Sequence, residues 1–181
     1  MSRHIVVLLA ALILIPATLT AQGAPPPAPS FPCDTMAQAR EFDFWIGEWD
    51  VYGPAKNKAG TSSIQRISNG CALLENWTSA SGGTGKSLNF WNASAGYWQQ
   101  TWIGANGGPL EYRDGTFRDS TMTFIAHIRG PQGGAVLNRL SFTRLAADRV
   151  RQHSETSRDG GRTWNTQYDF VYLRQGSAER P

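Results

Sequence analysis

Residues 42–51 read Phe42-Asp-Phe-Trp-Ile-Gly-Glu-Trp-Asp-Val51, and a change of pattern inside this stretch decides the fold. Upstream, Met36, Ala39, Phe42 or Asp43, and Trp45 recur at a partly helical spacing. Asp34 precedes them, where a carboxylate can accept from the first free backbone N–H groups. A short helix is therefore expected from Asp34 to about Phe44. Beyond Gly47 the helical spacing does not return. Aromatic and β-branched segments instead alternate with turn clusters: Gly53-Pro54, Ser68-Asn69-Gly70, Ser81-Gly82-Gly83, Ala105-Asn106-Gly107-Gly108, Gly130-Pro131 and Asp159-Gly160-Gly161.

These boundaries define about ten strands. They are Glu48–Tyr52, Thr61–Ser68, Ala72–Thr78, Lys86–Trp91, Tyr97–Ile103, Leu110–Thr116, Thr121–Arg129, Val136–Leu145, Arg149–Ser157 and Thr163–Arg174. Sequential strands with short turns and no helix between them give an up-and-down antiparallel sheet. Closing that sheet into a barrel removes both of its exposed edges. Alternation is clearest in the last segment, where Trp164, Tyr168, Phe170 and Tyr172 are expected on one face. The fold class is all-β: one antiparallel barrel with a short N-terminal helix.

Composition sets the limits around this core. The chain has 181 residues, room for one domain, and its 40% hydrophobic content excludes wholesale disorder. Seven tryptophans and nineteen glycines suit strands joined by tight turns. The formal charge of +3 is too mild to imply nucleic acid, and no lysine/arginine run concentrates it.

The first residues assign a compartment. Arg3 and His4 precede an apolar run from Ile5 to Leu19, followed by small residues at Ala21, Gly23 and Ala24. Those are the parts of a secretory signal peptide, residues 1–24. The run is shorter than the roughly 20 residues that span a bilayer, and Pro16 interrupts it. No stable membrane span is therefore expected after cleavage. Pro25, Pro26, Pro27 and Pro29 make residues 25–32 a stiff linker. Residues 33–176 form the domain, and 177–181 a tail. A secreted or periplasmic location makes a Cys33–Cys71 bridge the expected state of the two cysteines. On the chain-entropy account its loop closure contributes about 4 kcal/mol.

Gly47-x-Trp49 opens the first strand after a helix, and Arg174 ends the last strand on the face of Phe170 and Tyr172. This resembles the calycin arrangement of lipocalins and fatty-acid-binding proteins, in which a first-strand tryptophan closes one barrel end under a late basic side chain. A guanidinium over an indole ring contributes about 0.5–2 kcal/mol. The stretch from Phe42 to Arg174 also resembles an exported bacterial family known only as a domain of unknown function. The likeness is carried by the opening at 42–51, by Asn89-Phe-Trp-Asn-Ala-Ser-Ala-Gly-Tyr-Trp-Gln-Gln-Thr-Trp102, and by Val150-Arg-Gln-His-Ser-Glu-Thr-Ser-Arg-Asp-Gly-Gly-Arg-Thr-Trp164 with the closing Tyr172-x-Arg174. It implies a lipocalin-like barrel and transfers no activity.

Two further motifs are structural. Ser157-Arg-Asp159-Gly-Gly161-Arg-Thr163-Trp164 matches the Asp-box of sialidase-type propeller blades, where the aspartate bonds to turn amides and the tryptophan packs beside a hairpin. A propeller requires several copies and this chain has one, so Asp159 and Trp164 mark a hairpin. Ala80-Ser-Gly-Gly-Thr-Gly-Lys-Ser87 fits a relaxed phosphate loop, but such a loop needs a helix after it, and Leu88 to Asn92 reads as a strand.

Chemistry is thinly supplied. His127 and His153 lie on different strands, and there is no Cys-x-x-Cys and no G-x-S-x-G elbow. The architecture also resembles the small nitrobindin-type haem barrels, in which His127 or His153 would be the axial ligand, but those barrels take their iron ligand from the last strand, which here holds no histidine. No metal, cofactor or catalytic residue is assigned. The polar residues that interrupt apolar strands are more informative: Glu75, Asn89, Gln100, Arg139, Arg151 and Glu155. Any that face inward must be paired or serve a ligand, because buried charge is costly. Trp98, Gln100 and Trp102 share one strand face, two flat walls around one amide. With Glu75 and Arg139 they form the candidate site for a small apolar or amphipathic ligand. Two alternatives stand beside this reading. One is an enzyme with Glu75 or Glu155 as an interior general base; the other is a filled barrel whose outer surface binds a protein.

Overall fold

The computed structural model describes residues 32–130 and 133–178. The expected signal peptide, the linker up to residue 31 and the end of the tail lie outside the described residues, as does Pro131 of the Gly130-Pro131 turn. Ten strands follow one another: β1 Gly47–Tyr52, β2 Lys58–Ile67, β3 Ala72–Ser79, β4 Thr84–Asn92 and β5 Tyr97–Gly104. Then come β6 Pro109–Arg118, β7 Thr121–Arg129, β8 Ala135–Ala146, β9 Arg149–Ser157 and β10 Asn165–Arg174. Each pairs antiparallel with the next, and β10 pairs with β1, so the sheet closes into an up-and-down barrel. Closure leaves no unpaired edge. The architecture is consistent with a calycin-like barrel.

The N-terminal helix differs from its expectation. One turn of α-helix, α1 (Pro32–Thr35), is followed by two 3-10 turns, Gln38–Arg40 and Asp43–Trp45. Asp34 sits inside α1 instead of capping a longer helix. The spacing of Ala39, Phe42 and Trp45 is three residues, which 3-10 turns satisfy as well as an α-helix does. Packing decides between them. Phe42 and Trp45 stack at 5.0 Å and both press on Phe142, at 5.0 and 4.5 Å. With Trp49, Met122, Phe124 and Val150, all fully buried, they plug one end of the barrel. Each such side chain contributes about 1.5–3 kcal/mol on burial.

At this end the Cys33–Cys71 disulfide joins α1 to the turn before β3. The Arg40 guanidinium donates to the Gly70 carbonyl in the same turn. The lid of the plug is thus held covalently and by a hydrogen bond to the barrel wall.

A bulge in β10 corrects a second expectation. Thr166 pairs with Glu155 but Tyr168 pairs with Ser154, leaving Gln167 as an extra residue. The insertion reverses the facing of everything before it. Tyr168, Phe170 and Tyr172 point inward, whereas Trp164 lies outside under the Arg139 guanidinium, 4.0 Å from its ring centre. The Asp-box closes this hairpin as its chemistry requires. Asp159 accepts from the Arg162 and Thr163 amides and the Thr163 and Ser157 hydroxyls, and those bonds, Thr163's foremost, hold its carboxyl down at about 2. The phosphate-loop-like segment likewise forms the β3–β4 turn and runs on as a strand.

Candidate functional site

Only one end of the barrel is filled. The other holds a cavity of about 510 Å³, within the range of small-molecule sites. Cross-strand register builds its wall. Glu75 of β3 lies opposite Ser87 of β4, Ser87 opposite Trp102 of β5, and Trp102 opposite Leu110 of β6. One row nearer the plug, Asn89 lies opposite Gln100 and Gln100 opposite Tyr112. One row nearer the mouth, Trp77 lies opposite Ser62 and Gly85.

The apolar lining comes chiefly from large rings. Trp77 stacks on Phe170 at 6.4 Å and Phe170 on Tyr168 at 4.8 Å, while Trp102, Leu110 and Ile128 complete the lining. Two glycines set where the indoles lie. Trp77 rests over Gly60 and Trp102 over Gly85, and a Cβ at either glycine would occupy the ring's position. Their lack of a side chain keeps both rings flat against the wall instead of across the cavity.

The polar lining is a connected network. Glu75 is 3% exposed and accepts from Ser62 Oγ and Ser87 Oγ, each at 2.8 Å. Asn89 Nδ2 donates to Ser87 Oγ at 2.9 Å, and Gln100 Nε2 donates to Asn89 Oδ1 at 2.6 Å. Across the barrel, Tyr172 donates to Gln152 at 2.8 Å, and Tyr112 donates to Asn138, which donates to Ser154. Burial pushes the Glu75 carboxyl up to about 7, against the opposing pull of its two serine donors. Burial also raises the Tyr112, Tyr168 and Tyr172 phenols, which stay neutral near pH 7.

Of the residues singled out from the sequence, Glu75, Gln100 and Trp102 come together here. Trp98 points inward on the same strand but lies deeper, in the plug, 5.8 Å from Phe42 and donating to Glu41 at 3.1 Å. Arg139 is on the outer face, opposite Glu155 in β9, and donates to it through Nε and Nη2 at 2.9 and 2.8 Å. Arg151 makes a similar pair with Asp169. Strand alternation sorts these residues into two sets and leaves open which set faces in. Glu155 therefore cannot serve as an interior base. His153 sits 3.7 Å from it, also away from the cavity, and no histidine is among the lining residues.

The sequence reading missed several lining residues. Trp77 could have been found as the position two beyond Glu75 on the same strand face. Tyr112, Asn138, Gln152 and Ser154 carry no local signal, since each pairs with a partner 16 or more residues away. Arg174 and Trp49 meet as the G-x-W motif implies: the guanidinium lies 4.5 Å from the indole centre and donates to the Ile46 carbonyl at 3.2 Å.

No family model matches this chain, and no curated protein matches it. What is established is a closed barrel with a buried aromatic cluster, compatible with ligand binding. Among the described residues no helix is long and apolar enough to cross a membrane, and no cluster of His, Cys, Asp and Glu could hold a metal ion.

Proposed function

We propose that this protein is an exported binder of a small, partly apolar ligand, taken into the open half of the barrel. The single observation that carries the reading is the half-filled interior. A cavity of about 510 Å³ with aromatic walls and an internal polar network lies behind a plugged end. A structural or surface-binding module gains nothing from such a void, because unfilled interior forfeits dispersion and burial energy. Export rests on the signal-like residues 1–24 and on the disulfide, which suits a secreted or periplasmic protein. Membership of the exported domain-of-unknown-function family is part of the same proposal and rests on the quoted motifs.

Titration with an apolar fluorescent probe tests it. One equivalent should bind and quench tryptophan emission, and Trp102→Ala should weaken binding by more than about 1 kcal/mol. Gln100→Leu should alter which ligands bind more than how tightly, since one amide hydrogen bond contributes about 1 kcal/mol net. If no member of a broad apolar and haem panel binds the wild type, the reading fails. A second reading, an enzyme with Glu75 as general base, is favoured by the Glu75 carboxyl at about 7, near the optimum for proton transfer at neutral pH. Glu75→Gln separates the two: a binder keeps most of its affinity for the apolar probe, whereas an enzyme loses the turnover its wild type shows while still binding.

A further inference from the structure

The acid in the cavity wall is unusual for this protein. On the outer face, Glu155 and Asp169 each face an arginine guanidinium. Glu75, the most buried of the three, has two serine hydroxyls and no cation. No lysine, arginine or histidine is among the residues lining the cavity. Two hydroxyl donors stabilise a carboxylate but do not neutralise it, and an uncompensated charge in low dielectric is costly. Hydrophobic packing alone does not explain an acid here. A leucine in its place would cost no charge burial, though it would remove the acceptor of both serine hydroxyls.

The surroundings of Glu75 have a matching bias. Trp77 is two residues along the same strand, and Trp102 is one strand beyond Ser87 in the row of Glu75 itself. Tyr168 and Phe170 stack opposite Trp77. Tyr172 is close enough for the charge of Glu75 to raise its phenol further. Ring faces carry negative potential and attract cations, most strongly in indole. The wall of the cavity therefore presents one carboxyl set among negative ring faces, and nothing positive.

We infer that the ligand is an organic ammonium ion, its charged nitrogen seated against Glu75 and its apolar body against Trp77, Trp102 and Phe170. The inference rests on the ligand-binding reading above and names the chemistry of its ligand. An amine supplies the missing counter-charge and brings N–H donors to carboxylate oxygens that each have a lone pair left beyond their serine bond. The aromatic faces accept the alkyl groups beside the nitrogen, which share its charge. Binding needs no covalent step.

Three probes with one body and different heads decide it: phenylbutylamine, phenylbutanol and phenylbutyrate, titrated into the purified full chain by calorimetry. The amine should bind about tenfold or more tightly than the alcohol, with the carboxylate weakest, as a charge-assisted contact in a desolvated site requires. In Glu75→Gln the amine should lose its advantage over the alcohol, with an unchanged circular dichroism spectrum reporting an intact barrel. Should that variant fail to fold, the wild-type ranking alone decides. Equal or weaker binding of the amine in the wild type, with the alcohol bound, overturns the ammonium assignment and leaves the binding reading standing. A Glu75→Gln barrel that retains the amine preference overturns it too. If none of the three binds, the ammonium assignment falls, and the binding reading falls with it only when the broad apolar panel fails as well.

Discussion

Arg174 lies directly opposite Trp49 in the β1–β10 ladder, and its guanidinium covers the indole face at 4.5 Å. Gly47 makes this possible. Its φ of 141° is disfavoured for residues with a side chain, and a Cβ there would meet the guanidinium. The G-x-W motif is thus a three-residue device: a glycine that clears the space, a ring that fills the barrel end, and a cation that covers the ring.

Trp49→Ala and Arg174→Ala should each destabilise the fold, and the double variant should cost less than the sum of the two, because contacting residues are not additive. Gly47→Ala should be costly in the wild type and less so beside Arg174→Ala, with only the backbone strain left. Chemical denaturation of the set measures both couplings. Additive losses would mean that the two side chains act independently.

The disulfide makes a simpler prediction. Non-reducing peptide mapping should recover the Cys33–Cys71 cross-link, and reduction should cost up to about 4 kcal/mol of stability, seen as a lower Tm. Two alkylatable thiols in the native protein would contradict it.

Glu75 gives a pH dependence of known sign. Its carboxyl titrates at about 7 when folded against 4.5 for the ordinary group. Between those values the folded chain binds more protons than the unfolded one, so stability falls as pH rises from about 4.5 to about 7 and then levels. The upper limit of that loss is about 3 kcal/mol. Measured as the difference between wild type and Glu75→Gln, other titrating groups largely cancel. Wild type should therefore lose ground to the variant steadily across this window. A flat difference would show that Glu75 titrates in the barrel as it does in the unfolded chain.

Gly85→Ala should displace the Trp102 ring from the wall. Probe affinity should drop several-fold, and the Trp102 emission should shift, whereas Gly96→Ala, in the open β4–β5 turn, should leave the affinity unchanged. Unaltered binding in Gly85→Ala would mean that the ring position is immaterial to the site.

Arg139→Ala should leave probe affinity unchanged and lower stability modestly, since its partners Glu155 and Trp164 are outside the barrel. A large loss of binding would return Arg139 to the site.

Strand number and order were legible because turn clusters punctuate the chain at short intervals and closure follows from sequential antiparallel pairing. The plug was legible only in its parts: three-residue spacing of Ala39, Phe42 and Trp45 does not distinguish one α-helix from two 3-10 turns. Trp164 was misplaced because one extra residue, Gln167, reverses the facing of a strand without any compositional mark. Glu75 stood out as an acid in an apolar strand. Its two serine donors, 12 and 13 residues away on neighbouring strands, could be identified only once register was known.

The plug at Phe42, Trp45 and Phe142 makes the barrel a blind cup with a single doorway. Whatever leaves must retrace the path by which it arrived. A rim substitution that merely obstructs passage, without touching the seated guest, therefore slows loading and unloading by the same factor and leaves the equilibrium constant alone. Residence time and affinity can in this way be set independently, the first by the doorway and the second by the wall.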